Sequence, residues 1–296
     1  MYKMKNTFSC LAIAGIMLLQ SCVEKGVQVD RGSKGKVTDT AYMGAVEAAQ
    51  ARRVLLEEFT GAACTNCPAG HEAVAKILNA NPDNVLAIAY HTYNPGSIFG
   101  PVKEAGHESK YDFRTSAGTD IAVNIFGVTE IPVAGIDRVP VSGVRVTDRT
   151  QWANQVSQRL AVAPPLNIHL SSVYNAGNNE VTVSVKVVYT KAVSKKNNLS
   201  IGVVESGIID AQSFFGRIEA DYEHNHILRR LLTPLYYGVS IKDDLATKQA
   251  GLVYVYTYTF EPAADWKLEN CRLVAFVANN EGSDKEVLQA AEVPLK

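Results

Sequence analysis

Cys64 and Cys67, with Thr65 and Asn66 between them and Pro68 after them, are the residues of this chain best suited to chemistry. Two thiols at this spacing can close a disulfide, exchange it with another dithiol, or hold a soft metal ion. Their surroundings favour the first two. Val54-Leu55-Leu56-Glu57-Glu58-Phe59 is an apolar run that stops at Thr60-Gly61, the pattern of a short buried strand. Beyond the pair, Ala69, Val74, Ile77 and Leu78 recur at roughly helical spacing, which predicts a helix over 68–78. The cysteines then occupy its first turn, where the partial positive charge of the helix N-terminus lowers a thiol pKa from ~8.5 toward neutrality. In that arrangement Cys64 is the nucleophile and Cys67 the resolving thiol, and Pro68 gives up an N–H that had no partner in any case.

A second element lies far along the chain. Gly127-Val128-Thr129-Glu130-Ile131-Pro132 precedes the apolar stretch Val133-Ala134-Gly135-Ile136 and follows a helix-like run over 119–126. Glu-Phe before a CxxC-Pro, with Gly-Val-x-x-Ile-Pro ahead of a later strand, resembles the thioredoxin fold. The resemblance implies that Pro132 is the cis proline lying against the cysteine pair. It also implies that Glu58 stands where that family carries a buried acid that moves protons for the resolving cysteine. Ala63 replaces the tryptophan usually found before the first cysteine.

The chain begins with a segment of export type. Lys3 and Lys5 precede an apolar stretch from Phe8 to Leu19, and Leu19-Gln20-Ser21-Cys22 resembles a lipobox. The expectation is a signal over 1–21, lipid on Cys22, and a protein anchored to a membrane without spanning it; a plain secretory signal is the alternative. Val23 after the cysteine resembles the sorting pattern of Gram-negative outer-membrane lipoproteins. Of five cysteines, Cys10 leaves with the signal and Cys22 carries lipid, so Cys64, Cys67 and Cys271 remain. Cys271, in an apolar run, is expected to be a buried strand residue. Residues 22–51, rich in Gly, Ser, Lys and Thr, are expected to be a tether. A formal net charge of −1 gives no basis for a nucleic-acid partner.

The pattern predicts two domains. An α/β thioredoxin-like domain over 52–163 would include a strand over 84–92, an insertion over 93–114, and a closing helix over 148–160. Ala163-Pro164-Pro165 marks a boundary, after which apolar residues alternate with a period of two. That pattern predicts an all-β sandwich of immunoglobulin or fibronectin type over 164–296, with helical character only near 210–231. Tyr254, Tyr256 and Tyr258 share one face of a strand, as sheet packing or as a binding surface. His224 and His226 would face one side beside Arg229. With these parts in place, Tyr222-Glu223-His224-Asn225-His226-Ile227-Leu228-Arg229-Arg230 resembles the Omp-twenty-eight family of outer-membrane lipoproteins, which implies an outer-membrane address.

Three functions fit these residues. The first is thiol-disulfide exchange with extracytoplasmic proteins through Cys64, Cys67, Glu58 and Pro132, needing no cofactor. The second is a surface or binding lipoprotein in which the cysteine pair is a static disulfide. The third is a metal site built from Cys64, Cys67, His71 and His91.

Overall fold

The computed structural model of the chain describes residues 35–93 and 96–296. The expected signal segment and the lipidation site Cys22 lie outside the described residues. In the first half, Lys36–Met43 (β1) is followed by Val54–Thr60 (β2), the helix Cys67–Ala80 (α1), Val85–His91 (β3), the short helix Ser116–Ile121 (α2), Val133–Ile136 (β4) and the helix Arg149–Leu160 (α3). The second half is built of strands: Leu166–Asn175 (β5), Glu180–Tyr189 (β6), Asn197–Glu205 (β7), Ile208–Phe214 (β8), Arg217–His224 (β9), Ile227–Leu231 (β10), Val239–Ser240 (β11), Leu252–Phe260 (β12), Cys271–Asn279 (β13) and Val287–Pro294 (β14).

Seven of these strands form one continuous sheet in the order β14-β13-β7-β10-β3-β2-β4, with β11 pairing on β7 as an eighth. β2 and β3 are buried at every position because both faces are covered, as a near-continuous apolar run requires. Val54, Leu56, Val85 and Ala87 pack under α1 and α3 with Trp152. Leu55, Phe59, Leu86, Ile88 and Tyr90 pack on the other side with Ile121 and Phe126. A second sheet, β1-β12-β6-β5, lies face to face with the β7–β13–β14 end of the first. β5, β6 and β12 alternate along much of their length as strands of a half-buried sheet must, while β1 is an exposed edge strand. Val181, Val183, Val185 and Val187 of β6 share a core with Ile201, Val203 and Leu273 of the facing sheet. β8 and β9 pair only with each other, joined by a tight turn at Phe215-Gly216 with Gly216 at φ 75°.

This architecture corrects the expected fold class. The chain is mostly β, with three α-helices among the described residues, and it holds no separate α/β thioredoxin-like domain followed by an all-β sandwich. The reason is β10. Ile227 pairs in parallel with Ala89 of β3 while the same strand runs antiparallel to β7, so the sheet passes across the 163/164 boundary. Alternation in sequence defines each strand's faces and says nothing of which strand lies beside it.

Other expectations change too. The tether over 22–51 is not free along its later part: β1 pairs with β12 over eight residues, and the amide of Gln50 donates to Asn167. The helical character near 210–231 is replaced by the β8–β9 hairpin and β10. Tyr254, Tyr256 and Tyr258 are core residues, 2, 3 and 7 % exposed, which assigns the row to packing. Cys271 is buried in β13, and burial pushes its thiol up to about 12.

Candidate functional site

Cys64 and Cys67 are joined in a disulfide at the start of α1. Local backbone builds the turn: the Cys64 amide donates to Gly61 O, and the Cys67 amide to Cys64 O. Pro68 occupies the first helical turn and Asn66 caps it without a side-chain bond. Gly61 is required here because a methyl group on it would lie 2.2 Å from the carbonyl oxygen of Ile98. The segment 98–100 thereby closes on the pair, and the Ala63 amide donates to Gly100 O.

The hairpin β8–β9 completes the cover. Gln212 of β8, itself fully buried, donates from Nε2 to Cys64 O over 2.9 Å, and the Ser213 amide donates to Ala62 O over 2.8 Å. In consequence Cys64 is 3 % exposed and Cys67 is fully buried. The turn of the hairpin behaves oppositely: Phe215 is 91 % exposed, beside a surface groove bordered by Thr65, Asn66 and Pro68.

Beneath the helix lies Glu58. Alternation along β2 points Glu57 and Glu58 to opposite faces. Glu57 is bound by Arg138 over 2.7 and 2.8 Å and accepts from the Tyr90 hydroxyl. Among the described residues Glu58 meets no cation and its Oε1 has no hydrogen-bond partner, and burial pushes its carboxyl up to about 8. It is held against α1 by a missing side chain: a methyl at Gly70 would come within 2.7 Å of Glu58 Oε1 and 2.9 Å of Pro132 Cβ. The Ile131–Pro132 bond is cis. Glu58, Gly70 and Pro132 therefore meet one turn into the helix that begins at Cys67.

His71 spans from β2 to the hairpin. Its Nε2 is 2.7 Å from Thr60 Oγ1, and its Nδ1 is 2.7 Å from the Tyr222 hydroxyl. Burial, with His224 and His226 nearby, lowers its pKa to about 3, so the ring is neutral. A cavity of about 350 Å³ opens between α1 and β9, lined by Glu58, His71, Phe214, Tyr222 and His224 among others. His224 ends β9, packed against Phe113 and Tyr222, and His226 follows it at φ 60° between β9 and β10. His91 is fully enclosed with its ring on Phe113.

The sequence-derived set Cys64, Cys67, Glu58 and Pro132 is thus gathered around α1. The alternative donors are not arranged for a metal: the two sulfurs are bonded to each other, and His71 is held by Thr60 and Tyr222. Among the described residues no group of three or more His, Cys, Asp or Glu side chains is placed to hold a metal ion. Gln212 and Phe214 are not legible as site residues, and Tyr222 is marked only as the start of the stretch that carries the family resemblance. The signal for the hairpin is β-type alternation through Ile208–His224 with a Gly-bounded turn at Phe215-Gly216.

Residues 120–296, which include the hairpin and the His224-Asn225-His226 stretch, match the model of the outer membrane protein Omp28 family. The chain belongs to that family. No curated protein matches it in sequence. Among solved structures, HBP35 of Porphyromonas gingivalis is similar in fold at 14 % identity and a TM-score of 0.65, covering 84 % of this chain and 77 % of that one. A protein of Agrobacterium tumefaciens determined by structural genomics is similar at 13 % identity and a TM-score of 0.50, covering 84 % and 97 %. Membership in the Omp28 family associates the protein with the outer membrane. No helix among the described residues is long and apolar enough to cross a membrane.

Proposed function

We propose that this Omp28-family protein is held to the outer membrane by lipid on Cys22 and exchanges disulfides with extracytoplasmic protein substrates through Cys64 and Cys67. The observation that carries the reading is the buried, unpartnered Glu58 carboxyl against the helix that starts at Cys67. A carboxyl with a pKa of about 8 can both take and give a proton near neutral pH.

In the reduced protein, Cys64 thiolate attacks one sulfur of a substrate disulfide and displaces the other as a substrate thiolate. Cys67 loses its proton to Glu58 and attacks Cys64 Sγ, releasing the second substrate thiol and re-forming the Cys64–Cys67 disulfide. Two electrons pass to the substrate, and the proton held by Glu58 returns to the substrate thiolate through solvent. Pro132 fixes the wall of the site. Because Gln212 and Ser213 lie over the pair, exchange requires the hairpin to lift.

A second reading rests on that same cover. Two cysteines 3 and 0 % exposed suit a static disulfide that ties the start of α1, leaving the protein to act by binding. Reduction of insulin-type disulfides by the protein, abolished by Cys64→Ser, tests the first reading; a wild-type protein with no such activity leaves the second.

A further inference from the structure

The cavity between α1 and the hairpin has a composition that disulfide exchange does not need. Its interior carries two polar side chains that are more than nine-tenths buried. Glu58 is 3 % exposed with Oε1 unpaired, and His224 is 1 % exposed with the backbone of Ala211 and Asp210 beside its ring. Buried polar groups are nearly always satisfied, so an unpartnered carboxyl oxygen facing a cavity implies a ligand or solvent that satisfies it.

The charge of the lining narrows the choice. Glu58, Glu72 and Glu223 border the cavity, and no Lys or Arg is among its lining residues. Glu72 is partly answered by Lys76 at 2.6 Å on the exposed face of α1, and Glu223 accepts from Asn225. No cation among the described residues answers Glu58. The histidines do not supply positive charge: burial lowers His71 to about 3, His224 to about 4, and His226 below its ordinary value. For His224 the backbone of Asp210 and Ala211 beside the ring offsets part of that shift. Phe214, Tyr222 and Val74 form the apolar wall, and the Tyr222 hydroxyl is already committed to His71. Aromatic faces beside an unpaired carboxyl complement a cation.

We propose that this cavity binds a small organic cation, an amine or guanidinium on an apolar body, with the charged head on Glu58 and the body between Phe214, Tyr222 and Val74. His224 accepts a further N–H from the head through its unprotonated nitrogen. An anion finds no partner there, and a neutral molecule leaves Glu58 as a buried acid.

Binding is linked to protons through Glu58. The groups facing it are His71 and Glu72 from α1, Tyr222, Glu223 and His224 from β9, and His226 beyond it. Tyr222, raised to about 12 by burial and then by Glu58, stays protonated, and His71 and His224 stay neutral. Glu58, pushed up to about 8 by burial, titrates close to neutral pH. A cation that binds its ionised form releases close to one proton at neutral pH, and its affinity rises roughly tenfold per unit as pH increases toward 8.

The test is calorimetric titration of the oxidised full chain with three probes of one shape: benzylamine, benzyl alcohol and benzoate. Benzylamine should bind at least about tenfold more tightly than either of the others, with proton release read from buffers of different ionisation heat. Glu58→Gln should weaken benzylamine about tenfold or more and leave benzyl alcohol unchanged. Phe214→Ala should weaken both and preserve proton release. Equal binding of benzyl alcohol, binding independent of pH, or no binding by any probe would overturn the proposal. Repeating the titration with Cys64→Ser/Cys67→Ser separates this site from the exchange reaction: binding retained there stands whether or not the wild-type protein exchanges disulfides.

Discussion

Glu57 and Glu58 are neighbours in β2 that face opposite sides of the sheet, and only Glu57 meets a cation, the guanidinium of Arg138. One residue step separates a carboxyl satisfied by a fork of two hydrogen bonds from one that burial pushes up to about 8. The first holds the sheet together, and the second is available for chemistry.

The paired member makes a stability prediction. Arg138→Leu removes the cation and leaves Glu57 fully buried without its ion-pair partner. Breaking such a pair from one side costs about 3–5 kcal/mol. Urea unfolding of the variant should show that loss, and the double change Glu57→Gln/Arg138→Leu should recover much of it.

The unpaired member makes a pH prediction. The Glu58 carboxyl has a folded-state pKa of about 8 against an unfolded value of 4.5. Below 4.5 both states hold the proton. As pH rises from 4.5 to about 8 the unfolded state ionises first, and wild-type stability falls. Melting temperature measured from pH 5 to 9 should therefore decline relative to Glu58→Gln up to about pH 8, then run parallel.

The histidines act at the other end of the scale. His71 and His224 have folded-state values of about 3 and 4, below the unfolded 6.5. Their contribution is complete above 6.5 and is lost as pH falls toward 4, because the unfolded chain takes up protons that the fold excludes. Acid titration of His224→Phe should show a shallower loss between pH 6.5 and 4 than the wild type.

Gln212 gives a kinetic prediction. Its Nε2 donates to Cys64 O, Gly61 O and Ser213 O, and so fastens the hairpin to the CxxC turn. Gln212→Ala removes a donor shared by three carbonyls, of which Gly61 O and Cys64 O keep the amides of Cys64 and Cys67, so the hairpin is loosened while the turn itself stays bonded. Reduction of the Cys64–Cys67 disulfide by dithiothreitol should be faster in the variant. An unchanged rate would mean that the hairpin does not control access.

What sequence reasoning reached and what it missed divide along a physical line. Local signals were sufficient where structure is local. The apolar run before Thr60-Gly61, the helical spacing after Pro68 and Asp148 ahead of α3 correspond to β2, α1 and the capped α3, where Asp148 accepts from the Thr150 amide. The clustering of Glu58 and Pro132 at α1 came through the resemblance that Gly-Val-x-x-Ile-Pro carries. Long-range pairing was out of reach. Nothing in Ile227–Leu231 announces that it will join β3 to β7, and that one strand turns two expected domains into a shared sheet. The hairpin is hidden for a related reason: its buried residues, Ile208, Asp210, Ala211, Gln212 and His224, are too mixed in character to read as an apolar face, because only Ile208 and Ala211 join small apolar clusters while the others meet the CxxC turn, the 110–111 backbone and the cavity.

The most direct test of disulfide exchange is the reduction potential of the Cys64–Cys67 pair, read by equilibration with glutathione or dithiothreitol. Exchange predicts a value between about −120 and −270 mV, the range of catalytic dithiols. A value below about −300 mV would contradict it and mark the pair as a static structural bond.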